Sequence, residues 1–320
     1  MPIESTFHGS SLWVVGNINR DLKTARFPAS NDLFTDGETS VSSIVETIGG
    51  GGANSAFAAA SLGAQVTFLG KVGADGLGDR LQRTLIQHGI RTYLKRDESH
   101  PSGTSLALSF DNGHRHFVSC LPANEALSFD DLDLHALPGQ THLLRADVWF
   151  SDAMLFGGNR QLFETAQKAG AAVSLDLNWD PQWGRASAPQ IRARKQAVRD
   201  LLPLVNLAHG NVRELMEFAE AADLDTALQR LADWGADAVV VHLGAQGAGY
   251  YYPGSELIVE PPAPVHSQIN TTGTGDVLSM CMMLLHHRAD ISIRERLRIA
   301  NTVVAEFMDG RLNLIPPLAD

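Results

Sequence analysis

Residues that could carry out chemistry are concentrated at positions 270–276, which read Asn-Thr-Thr-Gly-Thr-Gly-Asp and precede an apolar run. Glycine lets the backbone approach a ligand, and the first amides of a helix have no partner within the helix. Those amides and the helix dipole favour an anion. A carboxylate at that place, Asp276, could accept a proton from a hydroxyl that attacks a phosphoryl group. The alternative interpretation is a capped helix start after a glycine turn.

A second glycine-rich segment stands near the N-terminus. It runs from Gly49 to Gly52, continues with Ala53 and Asn54, and leads into small residues through Leu62. Further on, residues 73–79 read Gly-Ala-Asp-Gly-Leu-Gly-Asp.

Together these segments resemble the two signatures of the ribokinase-like (PfkB) carbohydrate kinases. The first signature is roughly Gly-Gly-x-Gly-Ala-Asn, then a helix, then Gly-x-Asp-x-x-Gly. The second is roughly Asp-Thr-x-Gly-Ala-Gly-Asp, which the chain matches except for Asn270 and Thr274. The resemblance extends from Gly16 to about Asn301. It implies a three-layer α/β/α fold with a mostly parallel central sheet, and an ATP-dependent sugar kinase.

Composition agrees with a globular enzyme. The chain has 320 residues, a net charge of −11 and two cysteines, Cys120 and Cys281. Such cysteine usage argues against a disulfide framework and suits a reducing compartment. The negative charge disfavours non-specific nucleic-acid binding, and no apolar run approaches a membrane span. We therefore expect one cytoplasmic kinase domain over residues 1–320, with neither nucleic acid nor membrane as a partner.

Strands and helices alternate along the chain, which favours a parallel sheet covered by helices on both faces. Apolar runs predict strands at 12–15, 66–69, 148–150, 172–175, 205–208 and 238–241. Helical patterns are predicted at 53–62, 77–88, 159–169, 212–220, 226–234 and 291–308.

Two regions, about 20–48 and 91–120, lack this alternation. The second contains two strand-like runs on either side of Asn112-Gly113, a strong hairpin signal. We predict that both regions form a small sheet projecting from the main domain. The resemblance implies that this sheet is a lid over the sugar, and a homodimer through the lid is a candidate assembly. A surface hairpin with no role is the alternative.

Polar residues follow the predicted strands repeatedly, and in open parallel sheets ligands bind beyond the carboxyl ends of the strands. Five such groups together favour one ligand cleft over ordinary loop chemistry. They are Asn17, Asn19 and Asp21; Ser151 and Asp152; Asp176 and Asn178; Asn211 and Glu214; and His242, Gly244 and Gly247.

The resemblance implies a sugar site in the first half of the chain. An amide beside a carboxylate supplies both the donor and the acceptor that sugar hydroxyls need. The residues implied are Asn19, Asp21, Gly50, Gly51 and Asn54, with Asp152 on a looser alignment. A solvated loop acid is the alternative for Asp152.

The resemblance implies a nucleotide site in the second half. Asn211 and Glu214 match an Asn-x-x-Glu motif that supports magnesium and phosphate binding, Glu214 indirectly, although an N-cap pair looks the same. His242, Gly244 and Gly247 match a Thr-x-Gly-x-x-Gly loop near the nucleotide, with histidine in place of threonine. Asn301 matches an asparagine near the adenine. A packed histidine and a buried helix asparagine are the alternatives.

The catalytic residues implied are Gly273, Thr274, Gly275 and Asp276. The three amides before Asp276 would stabilise charge on the transferred phosphoryl group, and Asp276 would act as the general base. ATP and Mg²⁺ are the expected cofactors. Two alternatives remain: a nucleoside kinase of the same fold, and a sugar-binding regulatory homologue with little catalysis.

Asn270 generates a first prediction, because relatives carry an acid there that helps to build a monovalent-cation site. An amide oxygen can coordinate K⁺ but contributes no charge. We expect a weak activation by K⁺ that becomes stronger in an Asn270→Asp variant. Activity is measured during a K⁺ titration at constant ionic strength. A strong response in the wild type that the substitution leaves unchanged would place the cation site elsewhere.

Overall fold

The computed structural model describes residues 6–30, 33, 35–139, 141–267, 273–312, 314 and 316–319. Within these ranges the strands form two sheets. The strands are β1 (Ser11–Val15), β2 (Asn19–Thr24), β3 (Ile44–Gly49), β4 (Gln65–Gly73), β5 (Arg91–Asp97), β6 (Thr104–Ser109), β7 (Arg115–Cys120), β8 (His142–Arg145), β9 (Ala172–Asp176), β10 (Leu207–Asn211), β11 (Val239–His242), β12 (Ala248–Tyr251) and β13 (Ile258–Glu260).

The α-helices in the same ranges lie between these strands along the chain or, for the last two, after β13. They are α1 (Gly51–Ser61), α2 (Gly76–Gln87), α3 (Pro122–Glu125), α4 (Asn159–Lys168), α5 (Ala188–Arg199), α6 (Val212–Ala219), α7 (Leu224–Asp233), α8 (Thr274–Leu284) and α9 (Ile293–Met308). None of them combines the length and the apolar character needed to cross a lipid bilayer.

The larger sheet has the order β13-β12-β11-β10-β9-β8-β1-β4-β5 in the described ranges. Every neighbouring pair from β11 to β5 is parallel, and β12 and β13 add antiparallel strands at one edge. The predicted mostly parallel sheet is thereby confirmed.

Helices cover both faces of this sheet, as the side chains of β1 show. Leu12 and Val14 pack into the core formed with α1, α2, α8 and α9, whereas Trp13 and Val15 pack into the core formed with α4 to α7. Because successive strand side chains point to opposite faces, this split defines three layers.

The strand predicted at 148–150 was wrong. The strand is β8, at His142–Arg145, and residues 148–150 form a turn. His142 and Arg145 interrupt the apolar pattern that marks a buried strand. Both can nevertheless be buried, because each has polar partners inside the protein. The His142 ring nitrogen Nε2 lies 2.5 Å from Ser174 Oγ, and Arg145 Nε donates to Asn159 Oδ1 at 2.7 Å.

The smaller sheet has the order β3-β2-β6-β7 and comes from the two regions that lack the alternation of strands and helices. β6 and β7 form the predicted hairpin. The second region was predicted to begin at 91, and that boundary was too early. Residues 91–97 form β5, which pairs with β4 at the edge of the larger sheet.

Candidate functional site

A buried carboxylate, Asp147, holds together the carboxyl end of the larger sheet. Its Oδ2 accepts from the amides of Asn17 and Gly52, each at 2.9 Å, and its Oδ1 accepts from Gly51 N at 3.2 Å. Asp147 N donates to Asn178 Oδ1 at 3.1 Å. This single residue, two positions after the end of β8, thereby joins the ends of β1 and β9 to the start of α1.

The glycines before α1 are required by this arrangement. Gly50 has a φ of 98°, and a Cβ at this position would lie 2.3 Å from Asn17 O. Since the amides of Gly51 and Gly52 already donate to Asp147, the first turn of α1 has a carboxyl acceptor supplied by the protein itself. Gly50 and Gly51 therefore shape the predicted sugar site through the backbone.

Helix α8 begins differently. Gly273 is its N-cap in the left-handed conformation, with a φ of 83°, and no side chain from the described residues caps the helix. The first turn contains Asp276. A helix start without a cap is suited to an external anion.

Asp276 and Asn54 meet across the cleft between α8 and α1. Asn54 Nδ2 donates to Asp276 Oδ2 at 3.1 Å, although the two residues are 222 positions apart in the sequence. Asn54 Oδ1 is buried and has no hydrogen-bond partner among the described residues. An orphaned acceptor of this kind suits a ligand hydroxyl.

Several acids share this cleft, and burial raises the pKa of each. The pKa of Asp276 is raised to about 7, chiefly by burial, with the charges of Asp147 and Glu214 adding to the effect. Burial also raises the pKa of Asp176, helped by the charges of Asp276 and Glu214. Neighbouring carboxylates oppose one another's ionisation, so these acids keep part of their protons close to neutral pH.

Asn19 and Asp21 form the predicted amide–carboxylate pair. Asn19 Nδ2 donates to Asp21 Oδ1 at 2.7 Å, and both residues are buried. Gly49 on the neighbouring strand lies against the Asp21 carboxylate, because a Cβ there would be 2.1 Å from Oδ1. Burial raises the pKa of Asp21.

His242 packs against the predicted anion-binding turn. A Cβ at Gly275 would lie 3.0 Å from His242 Nδ1, and His242 Nε2 lies 2.8 Å from Ser279 Oγ. Burial lowers the pKa of His242 to about 4, so the ring is neutral at neutral pH. The histidine supports the start of α8, and its ring would have to shift by a few tenths of an ångström to admit a Cβ at position 275.

Gly247 and Asn301 both meet the backbone that follows β13. A Cβ at Gly247 would lie 2.2 Å from Glu260 O, and the φ of Gly247 is 96°. Asn301 Nδ2 donates to Glu260 O at 3.0 Å and to Pro261 O at 2.9 Å. Together with the turn at Gly244, these contacts shape the predicted nucleotide loop.

Asn211 and Glu214 form a capping box at the start of α6. Asn211 Oδ1 accepts from Glu214 N at 2.9 Å, and Glu214 Oε2 accepts from Asn211 N at 2.8 Å. The sequence alternative of an N-cap pair is therefore present. Burial raises the pKa of Glu214. The Glu214 carboxylate lies close enough to Asp276 and Asp176 for its charge to raise their pKa values.

Asp152 points to a different partner. Its side chain is 73% exposed, and its Oδ1 accepts from Arg194 Nη1 at 2.6 Å. Arg194 also donates from Nε to the buried Asp180 at 2.7 Å. The structure thus assigns Asp152 to an ion-pair cluster, and the acid that follows β8 into the cleft is Asp147.

Asn270 lies outside the described residues, and so does the rest of 268–272. The residues that the sequence missed are Asp147 and Asn124. Asn124 holds Ile18 through both backbone groups, accepting from its amide at 3.1 Å and donating to its carbonyl at 3.2 Å. Correct placement of β8 would have identified Asp147, while Asn124 has no signal of its own in the sequence.

Comparison with known proteins gives consistent relatives. The chain is 27% identical to fructokinase of Vibrio alginolyticus over 272 residues, which cover 83% of this chain and 81% of that protein. It is 25% identical to aminoimidazole riboside kinase of Salmonella typhimurium over 296 residues, covering 88% and 82%. The structure of a putative ribokinase II from E. coli in complex with ATP and Mg²⁺ superposes with a TM-score of 0.77 at 19% identity, covering 94% of this chain and 93% of that chain.

The family described as pfkB family carbohydrate kinase matches residues 10–303, which include both glycine segments and the cleft between them. The chain therefore belongs to the PfkB family of carbohydrate kinases, with a ribokinase-like fold.

Proposed function

We propose that this kinase transfers the γ-phosphoryl group of ATP to a hydroxyl of a small sugar or sugar acid, with Asp276 as the general base. The observation that carries the proposal is the position of Asp276 in the first turn of a helix that no described side chain caps, bonded to Asn54. A proton acceptor and an anion-binding helix start then adjoin the same point in the cleft.

The chemistry follows from the two groups. Asp276 would accept the proton of the attacking hydroxyl, and its raised pKa of about 7 makes it a stronger base than an ordinary aspartate. The amides of Gly273, Thr274 and Gly275 would stabilise the charge on the phosphoryl oxygens. Phosphoryl transfer depends mainly on such positioning and electrostatic stabilisation.

The sugar would lie between the smaller sheet and α1. Asn19 and Asp21 from β2, and the unpaired Oδ1 of Asn54, offer acceptors for hydroxyl groups. The smaller sheet would act as the lid. Its exposed apolar residues support the candidate homodimer through this sheet, and they are Ile44, Val45, Phe117 and Val118.

ATP and Mg²⁺ fit the residues present. Gly273 in its left-handed conformation allows close approach of a phosphate to the start of α8, and the grouped acids of the cleft favour a cation beside the phosphates. In the described residues no group of three His, Cys, Asp or Glu could hold a metal ion by itself. We therefore propose that Glu214 acts on Mg²⁺ indirectly, and that the metal, when bound, neutralises phosphate charge.

A riboside is a second candidate substrate, because one relative is an aminoimidazole riboside kinase. An ADP-release assay against a panel of sugars, sugar acids and nucleosides decides between them. Turnover of a sugar supports the proposal, and turnover of nucleosides alone would replace it. Tight sugar binding with no ADP release from any compound would support a regulatory homologue.

The general base is tested by Asp276→Asn, which removes the proton acceptor and keeps the shape. We expect kcat to fall by at least about 10²-fold while sugar binding is retained. In the wild type kcat/KM should rise with pH around the pKa of about 7, since the carboxylate is the active form. Asp290→Asn is a matched control, because this exposed acid lies beyond the opposite end of α8. Near-normal turnover in Asp276→Asn would end the assignment.

The raised pKa of Asp276 also predicts a pH-dependent stability. Between its ordinary pKa of 3.8 and about 7, the folded protein keeps a proton that the unfolded chain has lost, so this group's contribution to stability falls as pH rises. Asp276→Asn has no such titration. Its Tm should therefore match the wild type near pH 4 and exceed it above pH 7. A Tm difference that is the same at both pH values would show that burial of this charge is not costly.

The sugar site is tested by Asn54→Ala, Asn19→Ala and Asp21→Ala. Each change leaves a buried hydroxyl of the sugar without its partner, which should cost about 1–3 kcal/mol of sugar affinity. ATP affinity measured without sugar should change little. Asn206→Ala is the control, because Asn206 bonds to Val173 N at the amino end of β9, away from the cleft. Equal losses of sugar and ATP affinity would indicate damaged folding instead.

A further inference from the structure

A second cavity lies between α5, the end of α6 and α7, and none of the cleft residues line it. It has a volume of about 460 Å³. Arg192, Lys195 and Arg199 line one wall from α5. Their spacing of i, i+3 and i+7 places them on one face of that helix. Arg230 and Trp234 line the opposite wall.

Two of these cations, Lys195 and Arg230, form hydrogen bonds with the C-terminal end of α6. Lys195 Nζ donates to Glu217 O at 2.6 Å and forms ion pairs with Glu217 Oε1 at 3.0 Å and Glu220 Oε1 at 3.4 Å. Arg230 Nη1 donates to the carbonyls of Ala219 and Glu220 at 2.8 and 2.7 Å. The C-terminal end of a helix repels anions, and these two side chains offset that repulsion.

The other two cations have no acidic partner. In the described part of the chain the Arg192 side chain makes no hydrogen bond or ion pair, and the Arg199 side chain makes no ion pair. The Arg199 guanidinium carbon lies 4.3 Å from the centroid of the Trp234 ring, which holds the group by a cation–π contact. Both arginine side chains are exposed to the cavity and to solvent.

The charge of the cavity opposes that of the whole protein. Its lining has four cations, Arg192, Lys195, Arg199 and Arg230, and one carboxylate, Glu220, although the chain has a net charge of −11. A cationic concavity in an acidic protein attracts anions selectively to that place.

Phosphate is the anion that this donor set favours. A guanidinium stacked on an aromatic ring keeps its planar N–H edge free, and that edge matches phosphate oxygens in a bidentate manner. The volume is within the range of small-molecule sites. We propose that this cavity, which we call the α5–α7 site, binds a small organic phosphate, either a sugar phosphate or a mononucleotide.

The experiment is equilibrium binding of glucose 6-phosphate, AMP and inorganic phosphate to the full chain by calorimetry. We expect at least one of the two organic phosphates to bind the wild type. An Arg192→Gln/Arg199→Gln double variant should weaken that binding by at least about tenfold, because it removes both unpaired guanidinium groups. Arg91→Gln, an exposed arginine on the far edge strand β5, should leave it unchanged. The organic phosphate that binds more tightly identifies the source.

A second measurement separates this site from the cleft, where organic phosphates could also bind. Binding at the α5–α7 site should change the tryptophan fluorescence of the wild type, and a Trp234→Phe variant should lose that change. The proposal is overturned if neither organic phosphate binds, or if the double variant binds as tightly as the wild type. The proposal is also overturned if sodium chloride at the same ionic strength changes the tryptophan fluorescence as much as the organic phosphate does, because ionic screening alone would then explain the change.

Discussion

The cleft depends on one carboxylate, that of Asp147, and the amides that surround it. Its two oxygens accept hydrogen bonds from the amides of Asn17, Gly51 and Gly52, and these amides would lose their acceptor if the carboxylate were removed. Burial raises the pKa of this carboxyl, while the amides act in the opposite direction and favour the charged form. The geometry of the cleft is therefore set by a carboxyl group whose hydrogen bonds, among the described residues, are all made to the backbone of the protein itself.

The Asp147 carboxyl group makes the starts of two helices differ. Helices α1 and α8 both direct a first turn towards the cleft, and both carry the partial positive charge of a helix N-terminus. Asp147 occupies the first, and no described side chain caps the second. Of these two helix starts, the one at α8, next to Asp276, is therefore the one that no side chain of the described residues caps. Acids also lie close together in this cleft, and the pKa values of Asp276 and Asp176 are raised.

The sequence predicted the parallel sheet, the hairpin of the smaller sheet and the importance of both glycine segments, because apolar runs and glycines act locally. It misplaced β8, since His142 and Arg145 look like loop residues until Ser174 and Asn159 are brought beside them. With the strand placed at 148–150, Asp152 stood at its end, whereas in the structure Asp147 is the acid that follows β8. The contact between Asn54 and Asp276 spans 222 positions, and only the fold could supply its geometry. The capping box of Asn211 and Glu214 was visible in the sequence, but the burial of Glu214 was not.

The connections of the smaller sheet have a mechanical consequence. Asp147 accepts from the amide of Asn17, which precedes β2, and from the amide of Gly51, which follows β3. Asn124, just after β7, accepts from the amide of Ile18. Before β6, Ser102 N and Oγ both donate to Asp75, each at 2.8 Å.

All four connections of the small sheet are thus anchored by side chains that bond to the main chain. These anchors resist rotation of the smaller sheet as one rigid body. In the role that we propose for it, the sheet would cover the ligand by bending and twisting of its strands beyond the anchors, and the stiffness of those strands would set how far it moves.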